Sequence, residues 1–326
     1  MKRATFLALV LVMAMVVAHP TQAQLRSAKY ATGWPPGFTF VPMLVAMEKG
    51  MLKEEGLQFS FDVLGRVADT VKLVATGKYP FTGAALMSVI QAREKGLPVI
   101  AIGAWFQKNP TAIVSKVEKG LTKMEDLRGK KVGVPSLGSS DYYALRAAMA
   151  KAKIGEKDLS LITVGHGAAT ALAQGKVDAI VGFVTSQAAR AQAIGLKVNM
   201  IRIGDYVNIG SYQYITSERF LKSDPGVIKS FVRSMNRAKR YALDNPDEAF
   251  KMVTKYFPKG KQGSRLELKH ALELLQDDNT RKFGLGWQSK EGWLTAQQVL
   301  LSLGLIKKKE SVERMFTNKY ITPEIK

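Results

Sequence analysis

The chain contains no cysteine among its 326 residues, so disulfides, thiolate-bound metals, thiol nucleophiles and lipid attachment to cysteine are excluded. Three histidines are present, and His19 falls in an N-terminal segment that we expect to be removed. The sequence also lacks G-x-S-x-G, H-E-x-x-H, P-loop and EF-hand patterns. The triplet Gly165-His166-Gly167 begins like a dinucleotide-binding motif but lacks the third glycine. We therefore predict no catalytic site, no metal and no cofactor.

Acidic residues are few relative to basic ones, with 27 Asp and Glu against 48 Lys and Arg, a formal net charge of +21. Such a balance makes nucleic acid, an anionic membrane or an anionic small ligand possible partners. The basic residues are scattered along the chain and form no stripe or known nucleic-acid-binding module, so we expect no nucleic-acid partner. They indicate a solvated surface and a weak attraction for small anions.

The first 23 residues have the pattern of a secretory signal peptide. Lys2 and Arg3 precede an uncharged apolar stretch over 4–18, and the small residues Thr21 and Ala23 form a cleavage site. The stretch is too short to cross a bilayer comfortably, and no later segment is long and apolar enough to do so. We predict cleavage after Ala23 and a soluble periplasmic protein that, without cysteine, carries no lipid anchor.

The remainder alternates short strand patterns with helical patterns, as in α/β domains. Residues 72–84 (KLVATGKYPFTGA) and 170–183 (TALAQGKVDAIVGF) share the order helix, Gly-Lys, strand, Gly, which favours two similar lobes. From about residue 224 onward the pattern is helical, and we expect these helices to pack outside the sheets. The predicted strands are 25–32, 57–64, 79–84, 99–105, 129–135, 159–164 and 177–183; the predicted helices before residue 224 include 40–53, 141–153 and 168–174.

Several short motifs occur in an order that resembles one family of solute-binding proteins. They are VAMEKGMLKEEGL at 45–57, EKGLPV at 94–99, DLRGKKVGV at 126–134 and GKVDA at 175–179. Together they resemble the nitrate/sulfonate/taurine, NMT1/THI5-like family of ABC-importer binding proteins. Lys78-Tyr79-Pro80 departs from that family's pattern, where an acidic residue is frequent.

The resemblance implies the α/β fold of type II periplasmic binding proteins, with two lobes around a ligand cleft and extra C-terminal helices. It implies a discontinuous first lobe, 24–115 plus 213–326, and a second lobe, 116–212. The implied function is capture of a small ligand by a monomer that delivers it to an inner-membrane ABC permease, without catalysis. Three alternatives remain. The protein could bind a pyrimidine thiamine precursor, or it could be a sensory or chaperone-like binding protein. The third is a THI5-like pyrimidine-synthesising enzyme, which requires an intracellular protein and a histidine consumed in the reaction.

Ligands of open α/β sheets bind beyond the carboxyl ends of the strands, so the loops at those ends define the expected cleft. Aromatic residues there would stack on a planar ligand, and serines at a helix start would favour an anion. We predict a small organic anion, such as a sulfonate, a carboxylate or an aromatic acid. An aromatic residue buried in a lobe core and serines acting only as helix caps are the alternatives. The candidate ligand-binding residues are Trp34, Phe38, Thr39, Gly83, Ala84, Trp105, Ser139, Ser140, His166, Phe183 and Thr185.

Overall fold

Ten strands in the described part of the chain form two separate five-stranded sheets. The structure, a computed structural model, describes residues 24–257 and 264–323; the predicted signal peptide and its cleavage site lie outside these ranges. The strands are β1 Arg26–Thr32, β2 Leu57–Val63, β3 Phe81–Ala85, β4 Val99–Ala104, β5 Thr111–Lys116, β6 Lys131–Val134, β7 Ser160–Thr163, β8 Ala179–Phe183, β9 Val198–Arg202 and β10 Tyr212–Ser217.

The two sheets have the same topology. The first has the order β2-β1-β3-β10-β4 and the second the order β7-β6-β8-β5-β9. In each sheet the central strand, β3 or β8, pairs in parallel on one side and with an antiparallel strand on the other. The helix–Gly–strand passages of the sequence end in these two central strands, which confirms the prediction of two similar lobes.

Two chain segments cross between the lobes, and each leads into the antiparallel strand of the lobe that it enters. One joins β4 to β5 and the other joins β9 to β10. Because β5 pairs with β8 and β9, the chain has entered the second sheet by Thr111, ahead of the boundary predicted between 115 and 116. The short apolar run of β5 lacks the alternation that identifies a half-buried strand, which is why it was missed.

Thirteen α-helices surround the two sheets within the described residues. The helix predicted over 40–53 is divided into two, because Gly50 adopts a left-handed conformation with φ of 69° between them. The helices are α1 Val41–Glu48, α2 Met51–Glu54, α3 Val67–Ala75, α4 Leu86–Glu94, α5 Ser140–Lys151, α6 Ala168–Ala173, α7 Ala189–Ala193, α8 Glu218–Ser223, α9 Pro225–Asp244, α10 Pro246–Thr254, α11 Arg265–Glu273, α12 Asp278–Phe283 and α13 Lys290–Ser302.

The C-terminal helices pack outside the first sheet, as expected from the helical pattern that begins near residue 224. Helix α9 begins with Pro225, which suits a first helical turn, and packs against α1 and the first sheet. Its apolar face, including Phe231 and Met235, is fully buried. Near the C-terminus, Phe316 pairs with Ala101 of β4 and its ring stacks on Trp293 of α13. The first lobe is therefore completed by chain that follows the second lobe in sequence.

No helix within residues 24–257 and 264–323 combines the length and the apolar character needed to cross a membrane.

Candidate ligand-binding site

Trp34 lies at the carboxyl end of β1, in a loop held by its neighbours. The Thr32 hydroxyl donates to the Trp34 carbonyl oxygen at 2.9 Å and accepts from the Trp34 amide at 3.3 Å. Gly33 lets the loop approach α3, because a Cβ there would lie 2.7 Å from the amide nitrogen of Val67. The half-buried indole of Trp34 is thus presented by a constrained backbone at the edge of the first lobe.

Five aromatic side chains form what we call the aromatic cluster: Trp34, Phe40, Trp105, Phe183 and Tyr212. The Trp34 and Trp105 rings are parallel within 1°, with centroids 6.1 Å apart. Tyr212 meets Trp34 edge-on at 6.0 Å and meets Phe183, which belongs to the second lobe, edge-on at 5.3 Å. Such offset and edge-to-face pairs are the favoured aromatic geometries. The cluster therefore spans both lobes.

Trp105 is the buried centre of this cluster, with 1% of its surface exposed. Its indole Nε1 donates to the Thr39 carbonyl oxygen at 3.1 Å. Gly83 of β3 makes room for it, because a Cβ at Gly83 would come within 2.6 Å of the Trp105 ring and would also clash with the Tyr30 hydroxyl. Gly83 thus makes room for the packing of these rings.

The second lobe contributes its part through an unusual turn after β8. Phe183 ends that strand and is followed by a π-helical turn, Val184–Ala188, a feature often found at functional sites. Gly182 permits this turn, since a Cβ there would meet the side chain of Gln187 at 2.5 Å. Thr185 is 5% exposed, and its hydroxyl has no hydrogen-bond partner among the described residues.

A polar cluster, which we define as Thr111, Ser140 and Asp141, lies beside Tyr212. The Ser140 and Tyr212 hydroxyls are 3.3 Å apart across the two lobes. The Thr111 hydroxyl donates to Asp141 Oδ1 at 3.1 Å. Burial raises the pKa of the Asp141 carboxyl to about 6, and the bond from Thr111 lowers it only in part. Burial and the nearby Asp141 also raise the pKa of the Tyr212 phenol.

The neighbouring Ser139 acts as a helix cap. Its hydroxyl accepts from the Tyr142 amide at 3.2 Å and donates to the Ser136 carbonyl oxygen at 2.9 Å. One of the free amides that would attract an anion at the start of α5 is therefore already bound by the protein. The predicted pair of serines separates into a cap, Ser139, and an inter-lobe contact, Ser140.

Not all the predicted residues come together. Phe38 packs on Phe250 and Phe257 in the helical layer of the first lobe, with ring centroids 5.5 and 5.2 Å away. Ala84 is fully buried in β3. The backbone of His166 lies in a 3₁₀ turn that follows β7, and its side chain is outside the described structure.

Sequence reasoning also missed Tyr212, Thr111 and Asp141 as site residues. Both Tyr212 and Thr111 begin an antiparallel strand that follows a crossing segment. Aromatic residues and threonine are common in any strand. The only signal in the sequence was therefore that Tyr212 and Thr111 each follow a crossing segment. Asp141 was recognised only as a neighbour of the two serines.

The lobes lie closed on each other in this structure. The cavity enclosed by the crossing segments, Ser140 and Tyr212 measures about 20 Å³, enough for water but not for an organic ligand. A larger cavity of about 630 Å³ lies on the outer face of the first lobe, lined by α9 and the C-terminal segment, away from both clusters. A ligand would therefore reach the two clusters only after the lobes part.

Two α/β lobes of equal topology, two crossing segments and a cleft between the strand ends define the type II periplasmic binding protein fold. The model of the family described as "NMT1/THI5 like" matches residues 37–249, well over half of the chain. The chain belongs to this family, as its sequence motifs predicted.

Two relatives differ in the activities that their names state. The riboflavin-binding protein RibY of Chloroflexus aurantiacus is 28% identical over 313 residues, which cover 93% of this chain and 88% of that protein. The 4-amino-5-hydroxymethyl-2-methylpyrimidine phosphate synthase of Legionella pneumophila is 24% identical over 222 residues, which cover 67% of this chain and 69% of the synthase.

Solved structures share the fold at low sequence identity. The periplasmic aliphatic sulphonate binding protein SsuA of Escherichia coli has a TM-score of 0.70 and 15% identity, covering 92% of this chain and 94% of that one. The ligand-binding component of an ABC-type import system from Staphylococcus aureus has a TM-score of 0.69 and 13% identity, covering 90% of this chain and 97% of that one. These likenesses confirm the predicted fold.

Proposed function

We propose that this protein is the solute-binding component of an ABC importer, exported to the periplasm, and that it closes its lobes on a planar heterocyclic solute. The observation that carries the proposal is the aromatic cluster, which continues from Trp34 and Trp105 in one lobe through Tyr212 to Phe183 in the other. Aromatic faces that become enclosed when two lobes close are suited to a flat ring system. Hinge closure of this kind is how two-lobed binding proteins retain their ligands.

The charges near the cleft favour an uncharged heterocycle over the organic anion that the sequence suggested. Of the residues in the two clusters, Asp141 is the one that carries a formal charge when ionised, and that charge is negative. A sulfonate or carboxylate placed beside it would meet like charge in a poorly solvated site. A heterocycle with N–H groups would instead donate hydrogen bonds to the carboxylate.

The relatives support the same ligand class. RibY is named for binding riboflavin, whose ring system is planar and uncharged, and it matches this chain over nearly its whole length. A pyrimidine, the alternative ligand, is planar as well. The hypothesis that the protein is a pyrimidine-synthesising enzyme is supported by relatives with lower coverage and identity. That activity would also require a reactive histidine and an intracellular protein. Residues 1–23, with their signal-peptide pattern, favour export and hence the binding function.

A thermal-shift panel tests this proposal. The mature protein, starting at Gln24, is melted with increasing concentrations of riboflavin, 4-amino-5-hydroxymethyl-2-methylpyrimidine, benzoate and ethanesulfonate. A ligand that binds only the folded state raises Tm progressively as its concentration exceeds Kd. We expect one of the two uncharged heterocycles to raise Tm and the two anions to leave it unchanged.

The opposite pattern would contradict the ligand class. If ethanesulfonate or benzoate raises Tm in a concentration-dependent way while both heterocycles have no effect, the cleft selects for charge and the aromatic cluster is only part of the lobe core. Covalent change of the protein or turnover of a compound, detected by mass spectrometry of the same samples, would favour the synthase reading.

A further inference from the structure

Lys239 of helix α9 is an unusual residue, because its whole side chain, including the amine, is inside the first lobe. Its exposed fraction is 0%. Its Nζ donates to the Ala104 carbonyl oxygen at 2.6 Å and to Asn236 Oδ1 at 3.2 Å. It also lies 5.4 Å from the centre of the Tyr214 ring. Both acceptors are uncharged oxygens, and none of the ion pairs among residues 24–257 and 264–323 gives this amine a carboxylate partner.

We expect such an amine to lower the stability of the fold. Removing an ammonium from water has a large unfavourable free energy, and neutral acceptors offset it only in part. Burial accordingly lowers the pKa of Lys239 to about 7. A methionine of similar length would fill the same space without this penalty. Groups that reduce stability in this way are concentrated at functional sites.

The contacts of Lys239 lead directly to the aromatic cluster. Ala104, whose carbonyl oxygen accepts from the amine, is the last residue of β4 and precedes Trp105. Tyr214, whose ring the amine faces, stacks on Trp105 with ring centroids 5.6 Å apart and an angle of 13°. Trp105 in turn stacks on Trp34. The Lys239 amine therefore contacts the backbone carbonyl just before Trp105 and also faces the Tyr214 ring that stacks on Trp105. Both contacts help to fix the position of Trp105.

We propose that Lys239 is a positioning residue of the ligand cleft, which holds Trp105, and through it Trp34, in the orientation that the ligand requires. The residue is buried behind the cluster and acts on the ligand through these two indoles. The role of Lys239 in ligand binding rests on the proposed function. The orientation of the two indoles can be measured without any ligand.

The test compares wild type with Lys239→Met and a matched control, Lys229→Met. Lys229 lies on the same helix but is exposed to solvent, so the same chemical change there reaches neither Ala104 nor Trp105. Three quantities are measured for each mature protein: Tm at pH 6, the ¹⁹F NMR spectrum after labelling with 5-fluorotryptophan, and the affinity for riboflavin by calorimetry. The tryptophan resonances are assigned by single Trp→Phe replacements at each of the four positions.

We expect Lys239→Met to keep or raise Tm, because the buried charge is removed. At the same time the Trp105 and Trp34 resonances should shift or broaden, that of Trp293 should not, and riboflavin affinity should fall about ten-fold or more. Tm would then stay the same or rise while the affinity for riboflavin falls. A residue with a purely structural role would not produce this combination. Lys229→Met should match wild type in all three measurements.

Two results would overturn the inference. A lower Tm for Lys239→Met would assign the amine an ordinary stabilising role, and unchanged Trp105 and Trp34 resonances would show that it does not orient the indoles. If the resonances move as expected but riboflavin does not bind wild type, the positioning role is retained and riboflavin is excluded as the ligand. Failure of the inference and failure of the proposed function are therefore separated.

Discussion

Tyr212 is the residue at which the two lobes meet. Its ring contacts Trp34 and Trp105 in its own lobe and Phe183 in the other, and its hydroxyl is 3.3 Å from that of Ser140. It holds this place because it begins β10, the strand that the chain enters on returning to the first lobe. A ligand that displaces the Phe183 contact would keep Tyr212 as one wall of its site.

The lowered pKa of Lys239 makes a prediction about stability and pH. Its pKa in the folded protein is about 7, against 10.5 for an ordinary lysine. Between these pH values the unfolded chain holds a proton that the folded one has released, so the free energy of unfolding should rise with pH, by at most about 1.4 kcal/mol per pH unit. Below about pH 7 both states are protonated and Lys239 contributes no slope.

Urea unfolding at intervals from pH 6 to pH 9 measures this contribution. The described titratable side chain that the Lys239 amine faces is Tyr214, whose pKa is raised by burial, so this phenol stays protonated over the range. Lys239→Met should lose the rise above pH 7, whereas Lys229→Met should retain it. Equal slopes for the two variants would show that the amine titrates as it does in water.

Among the secondary-structure elements, helix α5 begins with two serines that have different roles. The sequence had suggested one shared role for both. Ser139→Ala removes a cap and should lower the free energy of unfolding by about 1 kcal/mol, with little effect on binding. Ser140→Ala removes the contact with Tyr212 and should weaken binding of the strongest binder by about two- to ten-fold, with stability nearly unchanged. Urea unfolding and calorimetry of both variants make the comparison. Equal effects of the two changes would contradict this division.

Most elements of the fold could be predicted because their periodicity is local. The parallel strands β1, β2, β6 and β7 were expected within one or two residues of their observed ends, since short β-rich runs bounded by Gly and loops are a strong signal. β5 was missed, because its short apolar run lacks the alternation that identifies a half-buried strand, and β9 was not predicted either. The predicted single helix after Phe40 was wrong for a backbone reason, the left-handed Gly50.

The residues of the candidate site were harder to predict than the fold. Whether a residue near the end of a strand belongs to the site depends on the direction in which its side chain points. Trp34, Trp105, Ser140 and Phe183 are brought to one place, and their role in binding stays a prediction. Phe38 lies in the same loop as Trp34 but packs into the helical layer. Neighbouring residues of a loop point in directions that only tertiary packing decides.

At the scale of the whole molecule, contacts distant from the clusters also hold the lobes together. Arg202 of β9 pairs with Glu273 of α11 at 3.0 Å, and His270 Nδ1 lies 3.4 Å from the same carboxylate. Burial is the main cause that lowers the pKa of His270. Arg202 and Glu273 are each about one-third exposed, so their pair adds little stability in water. The pair joins the two lobes in this structure and is therefore one of the contacts that hold them together.

We propose that a planar solute stacks on the aromatic cluster between the lobes. Calorimetric titration of Trp34 variants measures this stacking. The strongest binder of the thermal-shift panel is titrated into wild type, Trp34→Phe and Trp34→Ala. We expect a modest loss of binding free energy for Trp34→Phe and a loss of about 1–3 kcal/mol for Trp34→Ala, with Tm nearly unchanged. A lower Tm for Trp34→Ala with intact affinity would place Trp34 in the lobe core and contradict the claim.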